Sequence, residues 1–157
     1  GPITLDFMVP NGTEFRAVAE VVQSMAAEAG FDLKIRVTEF ATSLKQAEDG
    51  EFQLFLIGWS GRSDPDGNSY AFQVCDQPQN NGKFCDKEVD AAHAKARATS
   101  DPTERKKAYG TVARKFLAEG SVVYLYHRRV LVALTDKVEG YMQMPDGLIR
   151  VVGVKIK

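Results

Sequence analysis

Lysine and arginine do not outnumber the acids in this sequence: they total 20 against 21 Asp plus Glu in 157 residues. Without a basic surplus the chain cannot gather nucleic acid or anionic lipid electrostatically, so no nucleic-acid partner is expected. No apolar run approaches the roughly 20 residues that cross a bilayer. No signal peptide is legible at the start, so the expectation is a chain already trimmed. Gly1-Pro2 reads either as the scar of a removed tag or as native residues. Histidine is scarce: His93 and His127 belong to no H-x-x-x-H or Cys/His cluster, which leaves zinc without a ligand set. Neither a G-x-x-x-x-G-K-[ST] loop nor G-x-G-x-x-G occurs, so phosphate cradling has no support. Internal repeats and low-complexity segments are missing as well.

What is present suits one ordinary globular core, with 44% hydrophobic and 26% charged residues. ITLDFMV reads as a strand and PNG at 10–12 as a turn. Phe15, Val18, Ala19, Val22, Met25, Ala26 and Ala29 then recur at helical steps, with Thr13 available as N-cap and Gly30 as the stop. Phe31, Leu33, Ile35 and Val37 alternate with Asp32, Lys34 and Arg36 as in a strand wetted on one side. Thr42 is expected to cap a shorter helix ending near Gly50, and residues 52–59 read as a near-continuous apolar strand buried on both faces. The order is β-α-β-α-β, an α/β core with right-handed crossovers expected. Two helices follow, at about 87–98 and from Asp101-Pro102-Thr103-Glu104, which combines an N-cap, a first-turn proline and a capping-box acid. Tyr109, Val112, Ala113, Phe116 and Leu117 give the second a buried stripe, and Gly120 ends it. Residues 122–127, 130–135 and 149–156 are strand-like, separated by a stretch with Gly140 and MPDG at 144–147.

Several chemistries can be tested on these residues. Asp64, Asp66 and Asn68 have the first three spacings of a calcium loop, but its sixth position is Ser69 where glycine is needed and its twelfth is Cys75 where glutamate is needed. Gly58-Trp59-Ser60-Gly61 brushes against the G-x-S-x-G nucleophile elbow, yet the second glycine is one position early and DPDGN reads as a turn where the elbow requires a helix. A hydrolase would have to use Ser60 with His127 as base, and that is the alternative class. His93, mid-helix among alanines, is expected at the surface or half-buried. Cys75 and Cys85, ten positions apart in VCDQPQNNGKFC, have poor spacing for a metal knuckle and good spacing for a small disulfide-closed loop. Two free buried cysteines are the alternative. A disulfide would place the protein outside the reducing cytosol.

The stretch GWSGRSDPDGN at 58–68 carries the only tryptophan, an arginine and two aspartates out of an apolar run. A lone tryptophan ordinarily packs in a core, and such aspartates ordinarily cap a solvated turn, as expected of Asp66 and Asn68. The order of this stretch, the cysteine-bracketed NNGKF loop, the A-R-A-T-x-D-x-x-x-R-x-x-x-Y helix pair, the returning VVYLYH strand and VEGYMQMPDGLIR resembles the C-terminal part of the peptide/nickel/opine family (family 5) of ABC-transporter solute-binding proteins.

The resemblance implies a periplasmic or lipid-anchored receptor that closes two α/β lobes over a peptide-like ligand, delivers it to a membrane permease and performs no chemistry. Its fold would be a type II-like periplasmic-binding-protein lobe. Residues 3–128 would form part of the second lobe, and 129–157 the strands that return to the first. The intact receptor would act as a monomer, whereas this chain could self-associate through its terminal strands. In the family the loop after the buried strand lines the ligand cleft, which makes Gly58, Trp59, Ser60, Arg62 and Asp64 candidate ligand contacts. Asn11, at the same sheet edge, joins them. Trp59 would cover apolar ligand surface, Arg62 an anionic group and Asp64 a cationic one. Dipeptide-binding members carry an acidic residue early in this loop and an arginine near the first turn; here Arg62 stands in the loop and VPNGT has no arginine. Peptides, glutathione-like compounds, opines and other amino-acid conjugates are therefore open as ligands. No cofactor or metal is implied, and nickel finds no ligand cluster.

Overall fold

In the computed structural model the chain forms β1 (Ile3–Pro10), α1 (Thr13–Glu28), β2 (Phe31–Thr38), α2 (Phe40–Glu48), β3 (Leu54–Phe55), α3 (Asp66–Gln73), α4 (Lys87–Arg97), α5 (Pro102–Glu119), β4 (Val138–Glu139) and β5 (Lys155–Ile156). The structure describes residues 1–144 and 146–157; Pro145, within the MPDG stretch, lies outside the described residues.

The first three strands form a parallel sheet in the order β2-β1-β3, with Ile3 opposite Phe31 and Phe7 opposite Leu54. The chain therefore moves one way from β1 to β2 and back across β1 to reach β3. Right-handed crossovers then place α1 and α2 on opposite faces, and the crevice between the carboxyl ends of β1 and β3 becomes the switch point where α/β sheets bind ligands. Phe7, Val9, Leu33 and Leu56 pack with Ala19 of α1 in the main core. Met8, alternate to them on β1, is fully buried, as are Ser43 and Ala47 of α2, which contacts β1.

Local details correct the sequence expectations. Thr13 is the first helical residue of α1, not its cap; the cap position is Gly12, at φ 149°, a conformation that suits glycine. Met25 (67% exposed) and Ala29 face solvent, so the buried stripe of α1 is narrower than its apolar stripe. Glu39, not Thr42, caps α2: its carboxylate accepts from the Thr42 N–H at 2.9 Å, which holds its pKa below the ordinary carboxylate value. The apolar run 52–59 pairs only at Leu54–Phe55, with one further bond from Leu56 N–H to Met8 O at 3.0 Å. Among the described residues no strand pairs on the far side of β3, and Ile57 is exposed.

Helices α4 and α5 pack together as a second layer, burying Val89, Ala96, Ala108, Val112 and Phe116, while Phe84 stands edge-on to Phe116 at 5.0 Å. Ala113 and Leu117 of the expected α5 stripe are exposed. The α5 start is as expected, with the Asp101 carboxylate accepting from Glu104 N–H at 2.8 Å. Cys75 and Cys85 are joined in a disulfide, which closes a loop braced by Asn80, whose amide donates to Val74 O and Phe84 O and accepts from Phe84 N–H.

The expected strands at 122–127, 130–135 and 149–156 do not form as such. Among the described residues only β4 and β5 pair there, antiparallel, over two residues each. Apolar side chains along this segment are open to solvent, among them Val123, Leu131, Ile149 and Val152, the last 93% exposed. Tyr126 and Arg128 tie the segment to the first turn of α1 through Glu14, at 3.0 and 2.7 Å.

Candidate ligand-binding site

Asn11 and Gly12 follow β1, residues 58–65 follow β3, and both lie at the switch-point edge. Asn11 donates its N–H to Thr38 O at 2.8 Å. A Cβ built on Gly58 would lie 3.9 Å from the ring of Phe15 in the first turn of α1, so the structure brings the two turns together.

DPDGN is not a plain turn: Asp66 opens α3. Asp64 Oδ1 accepts from Asp66 N–H at 2.8 Å, and the Asn68 side chain bonds back to the loop, so Asp64 and Asn68 serve the backbone amides, while Asp66 faces elsewhere. Tyr109 donates its hydroxyl proton to Asp66 at 3.3 Å and the Arg97 guanidinium lies 3.6 Å from it. Burial first, and Asp66 next, raise the Tyr109 pKa above its ordinary value.

Trp59 is 46% exposed. Its indole meets Phe72 edge-on at 4.8 Å, and the Arg62 guanidinium lies 4.7 Å from the ring centroid. Arg62 also donates to Ser60 O and, at 3.2 Å, to Ser60 Oγ. Asp64 is paired with Arg105. Arg105 and Tyr109, the final residues of the A-R-A-T-x-D-x-x-x-R-x-x-x-Y pattern, thus hold the loop to α5. The sequence pattern places Tyr109 in the buried stripe of α5 and assigns Arg105 no role, although both stand at fixed spacing from Asp101. A shallow groove of about 480 Å³ lies beside them, lined by Asp64, Arg97, Thr99, Ser100 and Arg105 among others.

His93 is not at the surface. It is fully buried in α4 between Tyr70 and Tyr109, edge-on to each at 5.7 and 5.8 Å, and neither ring nitrogen has a hydrogen-bond partner among the described residues. The sequence expectation of a surface or half-buried residue is corrected because the face of α4 that carries His93 also buries Val89 and Ala96.

The hydrolase alternative finds no support. Ser60 lies five residues beyond β3 and six before α3, away from any strand-to-helix elbow, and its hydroxyl accepts from Arg62. His127 is exposed and makes no hydrogen bond with Ser60 among the described residues.

Comparison with known proteins accounts for this arrangement. Residues 2–81 match the family described as bacterial extracellular solute-binding proteins, family 5 Middle. The chain is 32% identical over 131 residues to di/tripeptide-binding protein 4 of Pseudomonas aeruginosa, covering 81% of this chain and 25% of that protein. It is 30% identical over 142 residues to the dipeptide-binding protein of Escherichia coli, covering 88% and 26%. The solved structure of HbpA2 from Haemophilus parasuis superposes with a TM-score of 0.82 at 26% identity, over 99% of this chain and 32% of that one. The chain thus spans about a quarter of the length of the curated relatives it matches. Its fold is that of a type II-like periplasmic-binding-protein lobe, and the chain belongs to the family 5 extracellular solute-binding proteins.

Proposed function

We propose that this family member is part of the substrate-binding component of an ABC importer, and that its loop 58–68 lines the cleft in which a peptide or amino-acid conjugate is captured for delivery to a membrane permease. The observation that carries the reading is a half-exposed tryptophan at the sheet's switch point, seated on Phe72 beneath an arginine without a carboxylate partner among the described residues. An indole covers apolar ligand surface without demanding one sequence, and a guanidinium suits a carboxylate. The relatives' names, di/tripeptide-binding and dipeptide-binding, agree with a peptide-like ligand. Trp59 and Arg62 are the principal contacts, with Gly58, Ser60 and Asn11 at the rim. Asp64 acts through Arg105, because a cationic ligand group would meet a carboxylate already neutralised.

The protein binds and releases its ligand unchanged, outside the cytoplasm, free or on a lipid anchor. Residues 3–128 belong to one lobe, and 129–157 supply strands that cross to a second. The bare apolar side chains from Val130 onward suit a segment that packs on a second lobe, although the exposed run already begins at Val122.

Calorimetry on the full-length receptor tests the reading, using di- and tripeptides, acidic peptides and N-acetylated peptides. Trp59→Ala should weaken every ligand that binds, and Arg62→Ala should weaken the acidic ones selectively. If Trp59→Ala leaves all affinities within about twofold, roughly 0.4 kcal/mol, the tryptophan is a packing residue and the reading fails.

A further inference from the structure

We infer that Asn68 is a positioning residue that locks Trp59 and Arg62 into a stacked indole–guanidinium pair before ligand arrives, making the loop a ready-made acceptor for a carboxylate. The inference rests on the reading that this loop binds ligand.

Asn68 uses its whole side-chain amide on the loop. Oδ1 accepts from Trp59 Nε1 at 3.2 Å and from Arg62 N–H at 2.6 Å, while Nδ2 donates to Arg62 O at 2.7 Å and Asp64 O at 3.1 Å. An amide has two donors and two strong acceptor sites, so this set saturates it, and exchanging its O and N would set donors against donors. The four bonds fix the indole's edge and the backbone on both sides of Arg62. Phe72, four residues along α3, meets the same indole from below.

Gly67 supplies an independent sign of the same fit. A Cβ there would lie 3.0 and 3.1 Å from Cβ and Cγ of Arg62, so the arginine stem passes through the space a side chain would take. Arg62 then bonds Ser60 through Nη1 and overlies Trp59, and no carboxylate pairs with it among the described residues, although Arg97 and Arg105 each have one. The loop's aspartates are thus engaged by other cations. The guanidinium held over the indole is left to meet an anionic ligand group, for which a fixed fork is suited.

Trp59 is the chain's only tryptophan, so its fluorescence reports on this loop alone. Asn68→Ala should red-shift the emission and raise acrylamide quenching about twofold, with the far-UV circular dichroism unchanged. Gly67→Ala, which leaves the amide in place but crowds Arg62, should also alter the emission. Ser69→Ala, whose hydroxyl bonds only Pro65 O among the described residues, should not. In the full-length receptor Asn68→Ala should weaken an acidic peptide about tenfold, the order expected when a hydrogen-bonded support is lost. Native emission and quenching in Asn68→Ala overturn the presetting. Shifted emission with unchanged affinity overturns the positioning role. Trp59→Ala without effect on any ligand instead rejects the underlying reading of the loop.

Discussion

Nη2 of Arg105 lies 2.8 and 2.7 Å from the two oxygens of Asp64, joining the loop at 58–68 to α5 across 41 residues of sequence. The same guanidinium donates to Ala96 O and lies 5.3 Å from the Tyr109 ring, so one side chain ties loop, α4 and α5 together. Asp64 is more than half exposed, which reduces the Coulombic part of the pair. Arg105→Ala should therefore destabilise the fold by about 1 kcal/mol, with Asp64→Asn costing less and a coupling of about 0.5 kcal/mol in the double-mutant cycle. Urea midpoints of the four proteins measure it, and additive effects would show that the pair carries no coupling.

Acid should loosen the α3–α4–α5 packing through His93. Burial pushes its pKa below the ordinary 6.5 and Arg97 adds to the lowering, against Asp66 and Asp90, which favour the cation. The unfolded chain binds a proton near the ordinary value and the folded chain only at lower pH. Stability from this residue is thus present above about pH 6.5 and is lost as pH falls through the window below it. His93→Phe keeps an aromatic ring between Tyr70 and Tyr109 and should flatten that part of the profile. Equal slopes for both proteins from about pH 7 to 5 would rule His93 out as the source.

Reduction of Cys75–Cys85 should cost about 2 to 3 kcal/mol, the loop-closure entropy of a short ring. Denaturation with and without reductant gives the difference. Intact mass after alkylation without reduction should show both thiols blocked from labelling; two alkylated cysteines would contradict the bond.

The segment after Arg129 should drive self-association of this chain. Val130, Leu131, Ile149, Val151 and Val152 expose apolar surface, and only β4 and β5 pair there among the described residues. Sedimentation velocity should show concentration-dependent oligomers, reduced by Leu131→Lys with Val152→Lys. A clean monomer whose amides over 130–157 exchange freely would oppose this.

The sequence by itself determined what lies within a few residues: the helical period of α1, the cap of α5, the span of β2 and the short cysteine loop. Each depends on neighbours along the chain, and a capping carboxylate such as Asp101 needs only the amides of its own helix. Motif order extended this to the family. Tertiary structure alone decided the rest. The strand-like residues at 122–127 and 130–135 have the pattern but pair with no strand among the described residues, and of 149–156 only Lys155–Ile156 pairs, because a strand is completed by a second segment. Full burial of His93, expected only at the surface or half-buried, was out of reach because neighbouring alanines cannot reveal that Tyr70 and Tyr109 close over it. Asp64 read as a free acid because Arg105 stands 41 residues away. The saturation of Asn68 required α3, a helix hidden by the proline and glycine on either side of Asp66. Caps and periods are set by local sterics and hydrogen bonds, whereas burial and charge pairing depend on which distant elements the fold brings into contact.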